Sequence, residues 1–376
     1  MHSLKNNIAI IHFQPLEYYP PVQNIIRYLG RELPDKQILV YTTAPGRRGV
    51  AAFRPDSSHI RITTSGSIKT SQNRFMRLFQ YLIFNTGVLF HLWLHRPGRV
   101  FYFETLSSFP AFIYKKIINR KADILIHYHE YTTPGEYRTG MLLERQFHSF
   151  ENYLFPRASW LSHINDERMR RFLEDISPVK VKNPKILPNY PPESWRAEPG
   201  TGKQGACKRI VYAGALGLES MYIQAFAEWV EAQNGKAQWD IYSQQDGTEL
   251  RTLLASMNSK NIHFLGMLSY DELPAILQTY DLGVILYKGV KPNHVHAASN
   301  KLFEYAACGL DVWFSKQMTG SYPYIKTDSY PRILPVDFSD LNNEITPDML
   351  LHKDIPYEPS PYYCEKVLAD LLPYLN

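Results

Sequence analysis

The chain has 376 residues, 44% hydrophobic and 20% charged, with a formal net charge of +5. That length is about twice one compact domain and the composition excludes a largely disordered chain, so two folded domains are expected. Cys207, Cys308 and Cys364 are widely spaced and odd in number, which excludes a disulfide framework and a cysteine zinc site and fits a reducing compartment.

The apolar run Ile8–Phe13 is too short for the core of a secretion leader and reads as a first strand. Pro21–Leu33 reads as a helix, and Gln37–Thr43 and Ile60–Thr64 as strands. Asn73–His95 is expected to be helical; within it Leu78 to Leu94 is interrupted by Gln80, Asn85, Gly87 and His91. A membrane span needs about 20 mostly apolar residues, so a transmembrane helix is not expected. Next come Val100–Phe103 (strand), Phe109–Asn119 (helix), Ile124–Tyr128 (strand), Glu136–Leu154 (helix), Trp160–His163 (strand) and Asp166–Glu174 (helix). This alternation predicts a parallel sheet covered on both faces.

Pro, Gly and polar residues then cluster from Lys182 to Gly205, marking a connector at residues 191–207 between a first domain at 1–190 and a second at 208–359. The alternation restarts with Arg209–Ala213 (strand), Tyr222–Glu231 (helix), Trp239–Tyr242 (strand), Thr248–Met257 (helix) and Ile262–Leu265 (strand). Tyr270–Thr279 (helix), Leu282–Leu286 (strand), Asn300–Cys308 (helix) and Leu310–Phe314 (strand) complete it. Residues 316–359 are Pro-rich and unassigned, and Tyr362–Leu375 reads as a terminal helix able to pack back on the first domain. The fold class is therefore α/β, with two doubly wound Rossmann-like domains expected to face a central cleft, where strand carboxyl ends collect ligands.

Charge is uneven. Residues 1–190 hold 26 Lys and Arg against 14 Asp and Glu, and residues 191–376 hold 15 against 22. A basic first half attracts an anionic partner such as a membrane surface, a lipid diphosphate or a polyanionic glycan. No nucleic-acid-binding motif accompanies the charge, so nucleic acid is not expected. The segment 73–99 sets Arg74, Arg77, Arg96 and Arg99 around Phe75, Phe79, Tyr81, Phe84 and Trp93. Two readings stand level: a face that lies on an anionic membrane and presents a lipid-linked acceptor, or a core helix with basic ends.

No glycine fingerprint follows the first strand, where Gln14-Pro15-Leu16-Glu17 stands, and no Walker A sequence is present, which removes support for hydride transfer and P-loop chemistry. Val211-Tyr212-Ala213-Gly214-Ala215 is a strand entering a small-residue turn ahead of a helix, a place where backbone amides can approach phosphate. After the strand ending at Tyr287 comes a connection with His294 and His296, then Ser299-Asn300-Lys301-Leu302-Phe303-Glu304-Tyr305-Ala306-Ala307-Cys308-Gly309. Ser299 or Asn300 is expected to cap this helix. Lys301 is a cation in a positively polarised first turn, an oddity that a bound anion would remove. Glu304, one turn on, could accept hydrogen bonds from a ribose diol.

This order of elements resembles the nucleotide-binding domain of GT-B glycosyltransferases, in particular the group 1, family 4-like enzymes. Phe264-Leu265-Gly266-Met267-Leu268, Tyr280-Asp281-Leu282-Gly283-Val284 and Ser299–Gly309 carry the resemblance, with His129-Glu130-Tyr131, Glu144-Arg145 and Ile186-Leu187-Pro188-Asn189 as looser landmarks. The resemblance implies a sugar nucleotide donor and a glycan or lipid-linked acceptor, as in bacterial-type surface polysaccharide or glycolipid assembly. The place it implies is cytoplasmic, with peripheral attachment at the inner face of the membrane as a further possibility. It implies that Glu304 holds the ribose, that Ser299, Asn300 and Lys301 face the diphosphate, and that Gly214 and Ala215 form the first turn. Met267 and Leu268 would meet the base, and Tyr287 and His294 would complete the donor site. His296 stands where many members carry a second glutamate, at the sugar end, and Leu216-Gly217-Leu218-Glu219 stands where a basic residue is common. Lys301, His294 or Lys291 could substitute. No Asp-x-Asp pair occurs, which disfavours the metal-clamped alternative fold; no metal and no other cofactor are expected. The catalytic candidates are His129 and Glu130, as acceptor bases at the end of a first-domain strand, and His296. A degenerate nucleotide-sugar-binding protein and a sugar-nucleotide epimerase on the same fold are the competing readings.

Overall fold

The structure is a computed structural model that describes residues 7–46, 52–67, 73–198, 207–243, 252, 255, 259–350 and 355–376. The chain divides into two units, one of Met1–Asn189 with Cys364–Asn376, the other of Tyr190–Tyr363. The first contains seven parallel strands: β1 (Ile8–His12), β2 (Ile38–Ala44), β3 (Ile60–Ser67), β4 (Arg99–Phe103), β5 (Asp123–Tyr128), β6 (Trp160–His163) and β7 (Pro184–Ile186), in the order β3-β2-β1-β4-β5-β6-β7. The second contains six, β8 (Lys208–Ala213), β9 (Ala237–Tyr242), β10 (Ile262–Gly266), β11 (Leu282–Ile285), β12 (Asp311–Ser315) and β13 (Ile333–Val336), in the order β10-β9-β8-β11-β12-β13, again all parallel.

The central strands are apolar on both faces because helices cover both sides, so β1 is buried along its whole length. In the helix Pro20–Glu32, Val22, Ile25, Ile26 and Leu29 recur at helical spacing and make the buried stripe. Strand order reverses between β1 and β4 and again between β8 and β11. Loops leaving the two strands at such a reversal run in opposite directions and open a crevice at their carboxyl ends.

Four expected elements differ in detail. Glu136–Leu154 is two helices, Pro134–Thr139 and Leu142–Leu154, parted at Gly140, whose extended backbone ends the first. Thr133 and Glu136 cap that first helix reciprocally, a device that starts a separate helix. Phe109–Asn119 runs as an α-helix only over Ser108–Ile113, then widens to a π turn over Tyr114–Ile118. Tyr270–Thr279 shortens to Leu273–Leu277, because Ser269 and Glu272 exchange hydrogen bonds ahead of it. The terminal stretch splits into Cys364–Leu368 and Leu372–Leu375. It is held on the first unit by Lys36 Nζ to the Leu375 carbonyl at 2.7 Å and Arg99 Nε to the Tyr374 carbonyl at 3.1 Å.

β7 and β13 were not read from the sequence. Both are short edge strands, Pro-containing and only partly buried, so they carry no clear period. Residues 191–198 of the expected connector pack within the second unit, with Trp195 buried and Ala197 N–H bonded to the Ala307 carbonyl at 2.9 Å. Its residues 199–206 lie outside the described residues, as does most of the expected helix Thr248–Met257.

Candidate functional site

In the second unit the site forms at the β8/β11 reversal. The helix Asn300–Ala307 lies against β11 and β12 because its inner face, Leu302, Phe303, Tyr305 and Ala306, is apolar and buried. Tyr305 is seated where Gly283 on β11 has no side chain: a Cβ there would stand 2.1 Å from the ring. From that seat the Tyr305 hydroxyl accepts the Ala213 N–H at 2.9 Å, at the end of β8. Tyr212 donates to the Ala215 carbonyl at 2.5 Å, and Gly214 N–H reaches the Tyr242 carbonyl at 2.8 Å. Two buried tyrosines therefore set the turn after β8.

Gly214 has φ of +142°, and a Cβ on it would meet Lys301 Cε at 2.6 Å and Nζ at 2.7 Å. The Lys301 ammonium packs directly on the glycine, 5.4 Å from the Tyr212 ring centre and 5.9 Å from that of Tyr287. His294, on the short helix Pro292–Val295, stacks on Tyr287 at 4.3 Å. Gly214, Tyr287, His294, Lys301 and Glu304 are thus brought together. Ser299 is the N-cap residue by position, but its hydroxyl makes no capping bond, contrary to expectation. The first turn of this eight-residue helix is left without a side-chain cap, which suits an anion.

Glu304 is 9% exposed, and among the described residues its carboxyl makes no hydrogen bond. Burial raises its pKa from 4.5 to about 7, and Lys301 opposes the rise. Burial of the residue disfavours its charged form, and a carboxyl with no donor among the described residues is open to ligand hydroxyl groups.

The remaining donor-site candidates are less closely joined. The turn at Gly214 and Ala215 does not open a helix, since the next one starts only at Ile223; a phosphate at a helix start is not available there. Met267 and Leu268 follow the edge strand β10, which β9 separates from β8. His296 closes the short helix, its N–H on the Pro292 carbonyl at 2.9 Å, and Thr319 and Ser321 bond the neighbouring Val295 and Ala297 carbonyls. Asn300 begins the helix and is half-buried.

In the first unit a cavity of about 130 Å³ opens at the β1/β4 reversal, lined by His12, Tyr19, Glu104, Ser107, Glu130 and Glu144 among others. Glu130 is exposed and on its wall; His129 is buried and not part of the lining. His129 Nδ1 lies 3.0 Å from Asn189 Oδ1 and 3.2 Å from His127 Nε2. Burial lowers the His129 pKa to about 4, with Arg168 adding to the fall and Asn189 opposing it. The imidazole is neutral at pH 7.

Sequence reasoning missed Glu104. It follows β4 with φ of +60° and accepts the N–H groups of His129 and Glu130 at 2.6 and 3.2 Å. Burial first, then the Glu130 charge, raise its pKa to about 8 against the pull of those amides and of Arg168. A carboxyl held on strained backbone with a raised pKa has the properties of an acid/base group. An acidic residue ending an otherwise apolar strand beside His129-Glu130 was the available signal. Glu151, also missed, is fully buried and accepts from Tyr102, Thr105 and Tyr128 at 2.6 to 3.0 Å, which fixes Thr105, the residue after Glu104.

Three solved structures are similar over nearly the whole chain. A glycosyltransferase from Rickettsia africae has a TM-score of 0.68 at 8% identity, covering 99% of this chain and 98% of that one. A sucrose-phosphate synthase from Thermosynechococcus elongatus has 0.66 at 13%, covering 98% and 90%. The fold is GT-B. A protein from Listeria monocytogenes described as a putative UDP-N-acetylglucosamine 2-epimerase has 0.60 at 11%, covering 98% and 95%, so the likeness is not confined to proteins described as transferases. No family model and no curated protein matches the chain. At these identities the likeness speaks for the fold; the chemistry rests on the residues above.

Proposed function

We propose that this chain transfers a sugar from a nucleoside diphosphate sugar to a glycan or lipid-linked acceptor, in the cytoplasm, in surface polysaccharide or glycolipid assembly. The observation that carries the reading is Glu304: a buried carboxyl with no hydrogen bond among the described residues, one turn beyond an uncapped helix start and beside Lys301. A ribose diol would supply two donors to Glu304, whose carboxyl has none among the described residues. The diphosphate takes the first-turn amides and the Lys301 ammonium, which also fills the role of the basic residue missing after the first turn. Met267 and Leu268 are assigned to the base, and Tyr287 with His294 to the donor's far end, where His296 stands in for a carboxylate.

As the glycosidic bond to the diphosphate breaks, positive charge develops on the sugar and negative charge on the leaving group. Lys301 and the helix amides stabilise the second without a metal ion. The acceptor is assigned to the first-unit cavity, where Glu130 or Glu104 receives its proton; His129, neutral but behind the wall, orients them. Incubation with a panel of sugar nucleotides tests the reading. Release of free nucleoside diphosphate that depends on Glu304 supports transfer. Conversion of the sugar with the nucleotide still attached supports the epimerase reading, which the fold likeness keeps in view. Binding without turnover of any donor or acceptor would identify a degenerate member.

A further inference from the structure

The helix Arg74–His95 has two apolar faces. Tyr81, Phe84, Val88 and Leu92 recur at helical spacing and sink into the core of the first unit. On another side Phe75, Phe79, Leu82, Phe90, Trp93 and Leu94 recur at the same spacing and stay in water, Phe75 83% exposed and the other five between 51% and 58%. The polar side chain along this stripe is Thr86, and its hydroxyl is turned back onto the Leu82 carbonyl at 2.7 Å. Twenty-two residues at 1.5 Å each make a face about 33 Å long. Single exposed leucines are ordinary; a continuous stripe of this length marks an interaction surface.

The charge around the stripe identifies the partner. Its C-terminal end is Arg96, exposed and in a left-handed conformation. The neighbouring turn is tied to that end by Tyr114 Oη donating to the Pro97 carbonyl at 2.8 Å. It presents Lys116, Arg120 and Lys121, all exposed, around an exposed Ile117. Asp123 is the acidic residue exposed nearby, beside the half-buried Lys115. A second copy of the chain would bring this cationic rim against an equally cationic surface, since residues 1–190 hold 26 basic against 14 acidic residues. A bilayer with anionic headgroups offers apolar depth to the stripe and negative charge to its rim. No helix among the described residues is long and apolar enough to cross a membrane.

We propose that the helix Arg74–His95 lies lengthwise in the interface of an anionic membrane and seats the protein on it. The proposal stands on the first unit's surface alone; joined to the transferase reading, it makes a lipid-linked molecule the acceptor class.

The test is co-sedimentation of the full chain with phosphatidylcholine vesicles, with and without phosphatidylglycerol. Two double variants, Phe79→Asp with Phe90→Asp and Lys116→Glu with Lys121→Glu, change only exposed side chains. Circular dichroism confirms that each is folded. Capture by the anionic vesicles is expected, weakened by salt and reduced about tenfold or more by each pair. Absence of capture at low salt would overturn the proposal, as would capture indifferent to the phenylalanine pair. Self-association abolished by that pair, with no vesicle capture, would assign the face to a second copy instead. Nucleotide binding, measured on the same samples, reports on the donor site separately, so failure of one reading leaves the other judged on its own result.

Discussion

Glu304→Gln separates the cost of the carboxyl from its use. Below about pH 4.5 the carboxyl is protonated in both folded and unfolded chains and contributes no difference. Between 4.5 and about 7 the unfolded chain ionises first while the native state keeps the proton, so stability falls as pH rises. Above 7 the full cost persists, about 3 kcal/mol for a pKa that moves from 4.5 to 7. Glutamine carries no such charge. The variant is therefore expected to gain stability over the parent above pH 7 and to gain nothing below 4.5. Ribose hydroxyls favour the ionised carboxylate, so nucleotide binding to the parent near pH 6 should release a proton, and the variant should release none. Loss of the charge-assisted bonds should weaken nucleotide binding about tenfold to a hundredfold. Denaturant unfolding at several pH values reads the first effect; calorimetry in buffers of different ionisation enthalpy reads the others. A parent-to-variant stability difference that does not change with pH would refute the buried-carboxyl argument, and unchanged affinity would refute the ribose contact.

Gly283→Ala should cost about 3 kcal/mol, because the Tyr305 ring stands in the way and is itself packed on all sides; a thermal midpoint equal to the parent's would contradict this seating. Gly214→Ala meets only the flexible end of Lys301 but strains a positive φ, so it should cost about 1–3 kcal/mol and displace the ammonium, weakening diphosphate-containing ligands more than the bare nucleoside. Tyr305→Phe leaves the Ala213 N–H without its partner and should cost about 1–3 kcal/mol, read by denaturant unfolding. Glu104 stays protonated until about pH 8, so if it takes the acceptor proton, turnover should rise toward that pH and Glu104→Gln should remove the rise; a profile that keeps it would move the role to Glu130.

The helix within Ser299–Gly309 was legible in the sequence, because an apolar period and a terminal glycine need only local chemistry to define it, although the expected side-chain cap at Ser299 does not form. The alternation of strands and helices likewise announced two parallel sheets, since a run such as Ile8–His12 stays apolar only when both faces are covered. Local pattern does not say how two segments far apart in sequence meet. Gly214 and Lys301 are separated by a whole chain of elements, and their packing depends on Tyr305 finding the gap at Gly283. Glu104 is one carboxylate among many in the sequence; the strained backbone and the two amides of β5's end that distinguish it come from the neighbour relation of β4 and β5.

The same division holds for the segment 73–95. Its sequence states that it is a helix with more apolar residues than one face can hold, and leaves burial and membrane contact level. Only the packed structure separates core from surface along it, because a helix has one inner side: Phe84 and Leu92 take it, and Phe79 and Phe90 are left outside, where membrane contact is a proposal. Periodicity determines which residues share a face, whereas the elements that fold against that face determine whether it is core or surface.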